Sequence, residues 1–394
     1  MNSTKASKRI LALDILRGVT IAGMIMVNNP GSWGHIYAPL RHAEWNGLTP
    51  TDLVFPLLHV YHGNFHIHFP EEIQLRVQPR RRHEDTETHH RHFPYRHGYR
   101  LVLAFLLLLG LRSGRPQFRR EAMGFRLDIR PYPYSGCHAT AGPLLRSSSI
   151  IALTMKHKHI PYLIAGLLTG YFILLMCGNG FAYNETNILS VVDRAILTPA
   201  HMYKDNGIDP EGLLSTIPAI AHVLLGFCVG RLMLDGNKSE DRASFLNSQL
   251  ITLFLVGVIL TFSGFLLSYG CPINKKIWSP TYVLVTCGLA SSFLALLIWI
   301  IDVKGYKKWS MFFEAFGVNP LFMYVLGGVL SILFGSISFP WGDGSISIHG
   351  FLYNIVLMPV FGETAGSLAF ALLFIAINWC IGYQLYKRKI YIKI

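Results

Sequence analysis

The sequence predicts an all-α, polytopic transmembrane helix bundle, and three observations predict it. Only 14% of the 394 residues are charged while 51% are hydrophobic, whereas a soluble chain of this size carries roughly 25% charged residues. Several apolar runs reach the ~20 residues that cross a bilayer. Basic residues gather at alternate turns between those runs, as cytoplasmic loops do. About ten spans are expected for a chain of regular membrane sequence, with both termini cytoplasmic, and about seven are intact here.

The first span is expected over Ile10–Val27. A basic flank (Lys5, Lys8, Arg9) precedes it, but the run leads into NNPGSW rather than a small-residue cleavage site, so the span is retained. Asp14 and Arg17 lie three residues apart on one face of it. They can form an i,i+3 ion pair with Arg17 snorkelling, or line a polar cavity for a charged ligand, since ionisable residues within spans are often functional. The two readings stand side by side.

The stretch Asn28–Pro56, NNPGSWGHIYAPLRHAEWNGLTPTDLVFP, is too rich in Gly, Pro, Asn and His to continue a helix. It sits between one apolar run and the start of the next. A polar loop at the mouth of a bundle is where chemistry meets water. His42 can take a proton from an amine or hydroxyl, or itself accept an acyl group. Asn28 can donate to a carbonyl as its oxyanion develops. On spacing alone His35 is an equal candidate, and most loop histidines are surface residues. In TPTD, Thr49 or Thr51 with Asp52 suits the N-terminus of a second span, so Asp52 can be no more than a cap.

Residues 57–149 change character. They hold 14 of the 21 Arg, 10 of the 17 His and none of the 14 Lys. This concentration, rather than a basic face, explains much of the net charge of +13, and a nucleic-acid partner is not expected. His66 with His68, or His89, His90 and His92, lack the carboxylate or Cys spacing of a metal site. A basic disordered insert binding lipid headgroups or nucleic acid is the second reading. The third is translation in a shifted frame. Plausible codons for Leu57–Gln74, read one base out of step, give FFMFIMGISTYIS and then LKKYN, a span with a basic turn. The same shift over Pro133–Arg146 gives RILGVMQRLALCYG, a half-span running into IIALTMK. The domain reading is therefore 1–56, first span and loop; 57–149, an aberrant segment; and 150–394, the remaining bundle. One uninterrupted frame at the locus would overturn it.

From Ile150 the chain is regular. Spans are expected at Ile160–Cys177, Leu213–Leu234, Ile251–Tyr269, Tyr282–Ile301, Phe312–Phe334 and Gly366–Tyr386, with 351–361 too short to span and read as re-entrant. The loops 178–210 and 336–363 then face outward with Asn28–Pro50. Lys275–Lys276 alone depart from the inward placement of basic residues. The six cysteines show no CxxC pair, so neither a disulfide framework nor a zinc site is expected.

LDILRG followed by MVNNPGSWGHIYAPLRHAEWNGLTPTDLVFP resembles the heparan-alpha-glucosaminide N-acetyltransferase family of transmembrane acyltransferases, its bacterial branch above all. DPEGLLSTIPAI, NKKIWSPTYVLVTCGLA and FGVNPLFMYVLG are similar to later blocks of that family. The resemblance covers about 1–56 and 150–394. It implies transfer of an acetyl group from cytoplasmic acetyl-CoA to an amine or hydroxyl of a sugar-like acceptor on the far side of the membrane. It implies His42 as the catalytic residue in RHAEWNGL, which demotes His35, and Asn28 as its partner. Asp14, Arg17 and Asp52 match family positions, and with Trp45 and Asn46 they are the expected substrate- or CoA-binding residues. Acetyl-CoA is expected as co-substrate and no metal; the bilayer, the acyl-CoA donor and a glycan acceptor are the expected partners, and the arrangement admits a homodimer. The location implied is a bacterial inner membrane. The family's second span and its Gly-Val-x-Gln-Arg segment occur only in the shifted reading, so the chain as it stands is expected to be inactive. A multispan transporter is the rival class; it calls for paired broken helices in internal repeats, and no such repeat is visible in the sequence.

Overall fold

The computed structural model describes residues 11–57, 126–127, 148, 150–197, 202, 207–210, 212–234 and 242–392. The histidines weighed as metal ligands and almost all of the shifted-frame segment lie outside the described residues. The architecture is the expected helical membrane bundle.

The first helix, α1 (Leu11–Asn28), is its axis. Ile15 and Leu16 pack into a core with Tyr282, Val283, Leu294 and Ile298. One to two turns further on, Ile21 and Ile25 join Phe316, Met323, Phe370 and Phe374 in a second core. Helix α2 starts at Pro50 and is described to residue 57. Then come α3 (Ile160–Cys177), α4 (Ile188–Leu197), α5 (Thr216–Leu234), α6 (Arg242–Leu267) and α7 (Pro280–Ile298), which continues as a π-helical turn over Trp299–Val303. Helices α8 (Ser310–Val318), α9 (Pro320–Ser336) and α10 (Glu363–Lys387) complete the set. Two of these starts follow from chemistry: Pro161 and Pro280 occupy first-turn positions where a missing N–H costs nothing, and Ser279 caps α7 by accepting the Tyr282 N–H.

Helices occupy all seven expected positions, with corrections. Five are long and apolar enough to cross a bilayer: Leu11–Asn28, His157–Cys177, Asn247–Leu267, Pro280–Val303 and Glu363–Lys387. The expected span Phe312–Phe334 is not one rod. It breaks by 88° between α8 and α9 and makes a sixth span only if the bent pair counts as one. Pro320 is the cause, because it lacks the N–H a helix needs and pushes the residue before it out of the helical region; Asn319 accordingly sits at φ −126°, ψ 60°. The expected span at Leu213–Leu234 is the shorter apolar helix of α5. The loop 178–210 carries an unexpected helix, α4.

The segment FPWGDGSISIHG, expected as plain loop, forms a hairpin. Strand β2 (Ile337–Trp341) pairs antiparallel with β3 (Gly344–Ser347), and the two-residue β1 (Arg126–Leu127) adds to the edge of β2. Trp341 opposes Gly344, so the turn is Gly342-Asp343, with Gly342 at φ +58° supplying the left-handed conformation a two-residue hairpin needs. Residues 348–361 are short, irregular helical turns, consistent with their expected shortness.

Small residues set the helix spacing, as they do where helices associate in lipid. A Cβ on Gly18 would lie 1.9 Å from the Phe313 carbonyl oxygen, and one on Gly317 2.2 Å from that of Asp14. The two glycines let α1 and α8 touch backbone to backbone. On the periphery, α6 turns Phe262 and Leu266 outward, 70% and 72% exposed, as a lipid-facing helix does.

Candidate active site

Four loop segments and the first turns of α10 converge beyond the Asn28 end of α1. Gly31 N–H donates to the Ser367 carbonyl (3.2 Å), and the His349 ring lies 3.4 Å from the Pro30 carbonyl through Nε2. Trp45 Nε1 donates to the Phe181 carbonyl (3.0 Å), and Gly47 N–H to that of Ile273 (2.8 Å). The loops expected on one side of the membrane therefore meet on one face of the bundle.

At the centre of that face His42 Nδ1 lies 2.7 Å from Asp52 Oδ1. Helix α2 builds this pair. Thr49 precedes Pro50, and Asp52, three residues after Thr49, reaches back so that its Oδ2 accepts the Thr49 N–H (3.1 Å) and hydroxyl (2.9 Å). That is the carboxylate half of a capping box, with a proline at the first helical position; the Asp52 N–H goes to the Thr49 carbonyl (3.0 Å) rather than to its hydroxyl. The same Oδ2 accepts the Ala43 N–H (3.2 Å), which fixes the main chain beside His42. The cap and the site residue, alternatives in the sequence, are one carboxylate. Its main chain is pinned as well: the buried Tyr282 hydroxyl donates to the Asp52 carbonyl at 2.7 Å.

Asp52 is buried, its side chain 1% exposed, while His42 is half exposed. Burial pushes the Asp52 carboxyl up, but the His42 hydrogen bond, the Lys275 ammonium and the Ala43 and Thr49 N–H groups outweigh it and hold it well below the usual carboxylate range. An ionised carboxylate only accepts hydrogen bonds. An imidazole that donates its Nδ1–H to such an acceptor turns Nε2 away from the carboxylate. A buried carboxylate orienting an imidazole that keeps a free nitrogen is the geometry of a general base or nucleophile.

Around the pair, Trp45 stacks on Tyr183 with ring centroids 4.5 Å apart, and Lys276 Nζ reaches the Tyr183 hydroxyl at 3.1 Å. Asn274 Nδ2 donates to Asn46 Oδ1 (3.1 Å). Asn28, the last residue of α1, is exposed on the same face and makes no side-chain hydrogen bond with His42. His35 stands apart, 3.1 Å from Glu363. Asp14 and Arg17 do not join the site. They pair at 2.6 Å, largely buried, fourteen and eleven residues before Asn28, which is about 21 and 16 Å along the helix.

Sequence reasoning missed Lys275, Lys276, Tyr183 and Asn274. A signal for the lysines existed: they were the one basic pair out of place. Tyr183 and Asn274 carried none.

A second buried carboxylate lies in the α4 cap over this face. Asp193 Oδ1 accepts the Leu213 N–H (2.9 Å), while Oδ2 has no hydrogen-bond partner and packs on Gly212. Burial pushes its carboxyl up to about 6; the Leu213 N–H opposes this and the Asp209 charge adds to it. An acid with a raised folded-state pKa favours folding below its unfolded value, and that advantage is lost as pH rises from about 4 to about 6. Asp193→Asn is therefore expected to melt higher than the parent chain by about 1 kcal/mol at pH 7.5, with the gain gone at pH 4. Thermal melts in detergent at both pH values check this; the same difference at both would refute it.

Helical spans carrying at one face a half-exposed histidine on a buried aspartate define a polytopic membrane protein with an enzyme-like site. No family model matches this chain. It is 25% identical over 377 residues to heparan-alpha-glucosaminide N-acetyltransferase of Homo sapiens, covering 80% of this chain and 52% of that protein. It is 29% identical over 445 aligned positions to the Mus musculus protein of the same name, covering 99% of this chain and 61% of that one. The chain is thus similar to heparan-alpha-glucosaminide N-acetyltransferases, the family its motifs resemble, and spans between about half and three fifths of the length of these two.

Proposed function

We propose that this chain is built as a transmembrane acyltransferase, moving an acetyl group from acetyl-CoA to an amine or hydroxyl of a sugar-like acceptor. The 2.7 Å contact between His42 and buried Asp52 carries the reading; the relatives' name supports N-acetyl transfer. His42 Nε2 serves as base toward the acceptor or as transient acyl carrier, and Asn28 polarises the thioester carbonyl. Trp45, stacked on Tyr183, and Asn46 lie where an acceptor ring would meet the site. Asp14 and Arg17, far along α1, suit the donor side. We read that side as cytoplasmic, with both termini there, in a bacterial inner membrane. Residues 57–149 are read as a frame error, so activity belongs to a chain with that frame restored, and the present chain lacks it.

Labelled acetyl-CoA added to vesicles holding the frame-restored chain should acetylate a glucosamine-terminated acceptor on the other side of the membrane. Absence of transfer to amino-sugar and hydroxyl acceptors alike would overturn the reading. The 88° break between α8 and α9 favours the transporter class, but that class needs two such breaks in matching repeats. Among the described residues there is one bent pair.

A further inference from the structure

Lys275 and Lys276 are the basic pair that fits no topology rule, and the structure shows where the first of them goes. Lys275 Nζ lies 3.1 Å from His42 Nδ1 and 3.4 Å from Asp52 Oδ1. The turn that delivers it is tightly built. Asn274 N–H donates to Ser279 Oγ (3.0 Å), Ile277 N–H to Asn274 Oδ1 (3.2 Å), and Ser279 N–H to the Asn274 carbonyl (3.0 Å). Within it Trp278 is held at φ +51°, a conformation that is an outlier for so bulky a residue. Such strain persists only where surrounding structure over-determines it, and it clusters at functional sites.

The two neighbours make opposite demands on one nitrogen. Asp52 accepts a hydrogen bond only from a protonated Nδ1, and an ammonium donates only to an unprotonated one. Asp52 is the closer, so Nδ1–H points to it and Lys275 acts through its charge. A lone carboxylate beside an imidazole favours the imidazolium, and a cation at the same distance opposes it. The other charged groups near His42 are Arg41, bonded to the Gly34 carbonyl, exposed Glu44, and Lys276, turned to Tyr183.

We propose that Lys275 is a positioning residue of the His42–Asp52 pair: its ammonium balances the Asp52 charge, so that the trio is neutral overall with an uncharged His42 whose Nε2 lone pair is open. This rests on reading His42 as the reactive group and adds what keeps it reactive. Without Lys275 the same charge balance is reached by protonating His42, which closes Nε2.

The test needs no transferase activity. Diethyl pyrocarbonate acylates only the unprotonated imidazole, and peptide mass mapping of the purified full chain gives carbethoxylation at His42 relative to His35. At pH 6.5, Lys275→Met should lower that ratio by about tenfold, with the parent value regained at pH 9, while Lys275→Arg stays within about twofold. Lys275→Gln is the second variant should the first prove insoluble. An unchanged ratio at pH 6.5, or an equal loss at both pH values, would overturn the proposal. Because the readout is the proton on His42, failure of the acetyl-transfer assay leaves it standing, and its own failure leaves the transfer reading standing.

Discussion

His42→Ala in the frame-restored chain is expected to lower acetyl transfer by about 10²–10⁴-fold, the range a positioned acid–base residue contributes. The effect falls on turnover, because the imidazole supplies the lone pair that takes the acceptor's proton or receives the acyl group. Insertion and folding should survive: the side chain is half exposed, and its polar neighbours, Asp52 and Lys275, also hold each other at 3.4 Å. Initial rates with labelled acetyl-CoA, beside size-exclusion profiles of both proteins in detergent, read the two effects apart. A variant running at the parent rate would remove His42 from the mechanism and return attention to His35.

Gly317→Leu is expected to cost the chain its fold. Extra bulk in a packed core costs about 1–3 kcal/mol when neighbouring side chains can shift. Here the obstacle is the Asp14 carbonyl, 2.2 Å from where the Cβ would stand, and main chain cannot swing aside. Helices α1 and α8 must separate, and the Asp14–Arg17 pair is disturbed with them. Loss of the monodisperse peak and of a cooperative melt is the expected outcome. Gly328→Leu, where nothing lies within 4 Å of the added Cβ, is the neutral control. A Gly317→Leu protein melting within about 2 °C of the parent would show that this contact does not set the spacing.

How much of this was legible in the sequence differs by kind of feature. The bundle was, because apolar length and charge scarcity are direct readouts of the bilayer as solvent. Helix continuity was less so. Phe312–Phe334 has the composition of a span, and only the weight given to Pro320 separates a kink from the 88° break that is found. The hairpin carried a Gly-Asp turn signal that an outward loop masked. At the site, His42 and Asp52 were each visible, but their contact was not, because the irregular loop between His42 and the start of α2 can place two side chains almost anywhere. The reach of the Asp52 carboxylate back over its helix start is what brings them together, and it was read only as a cap. Lys275 lies 233 residues from His42, beyond any local pattern. Its lone clue was that it sat on the wrong side for a lysine.

The bond from Tyr282 to the Asp52 carbonyl spans 230 residues of chain. Although His42 and Asp52 are near neighbours in sequence, the main chain at Asp52 is secured from α7, more than two hundred residues further on. Contacts so distant form late, since the intervening chain must first be brought into place. Competence at this face is thus among the last things the chain acquires. A fragment ending before Pro280 would carry every residue of the motif and still lack the clamp that makes it a site.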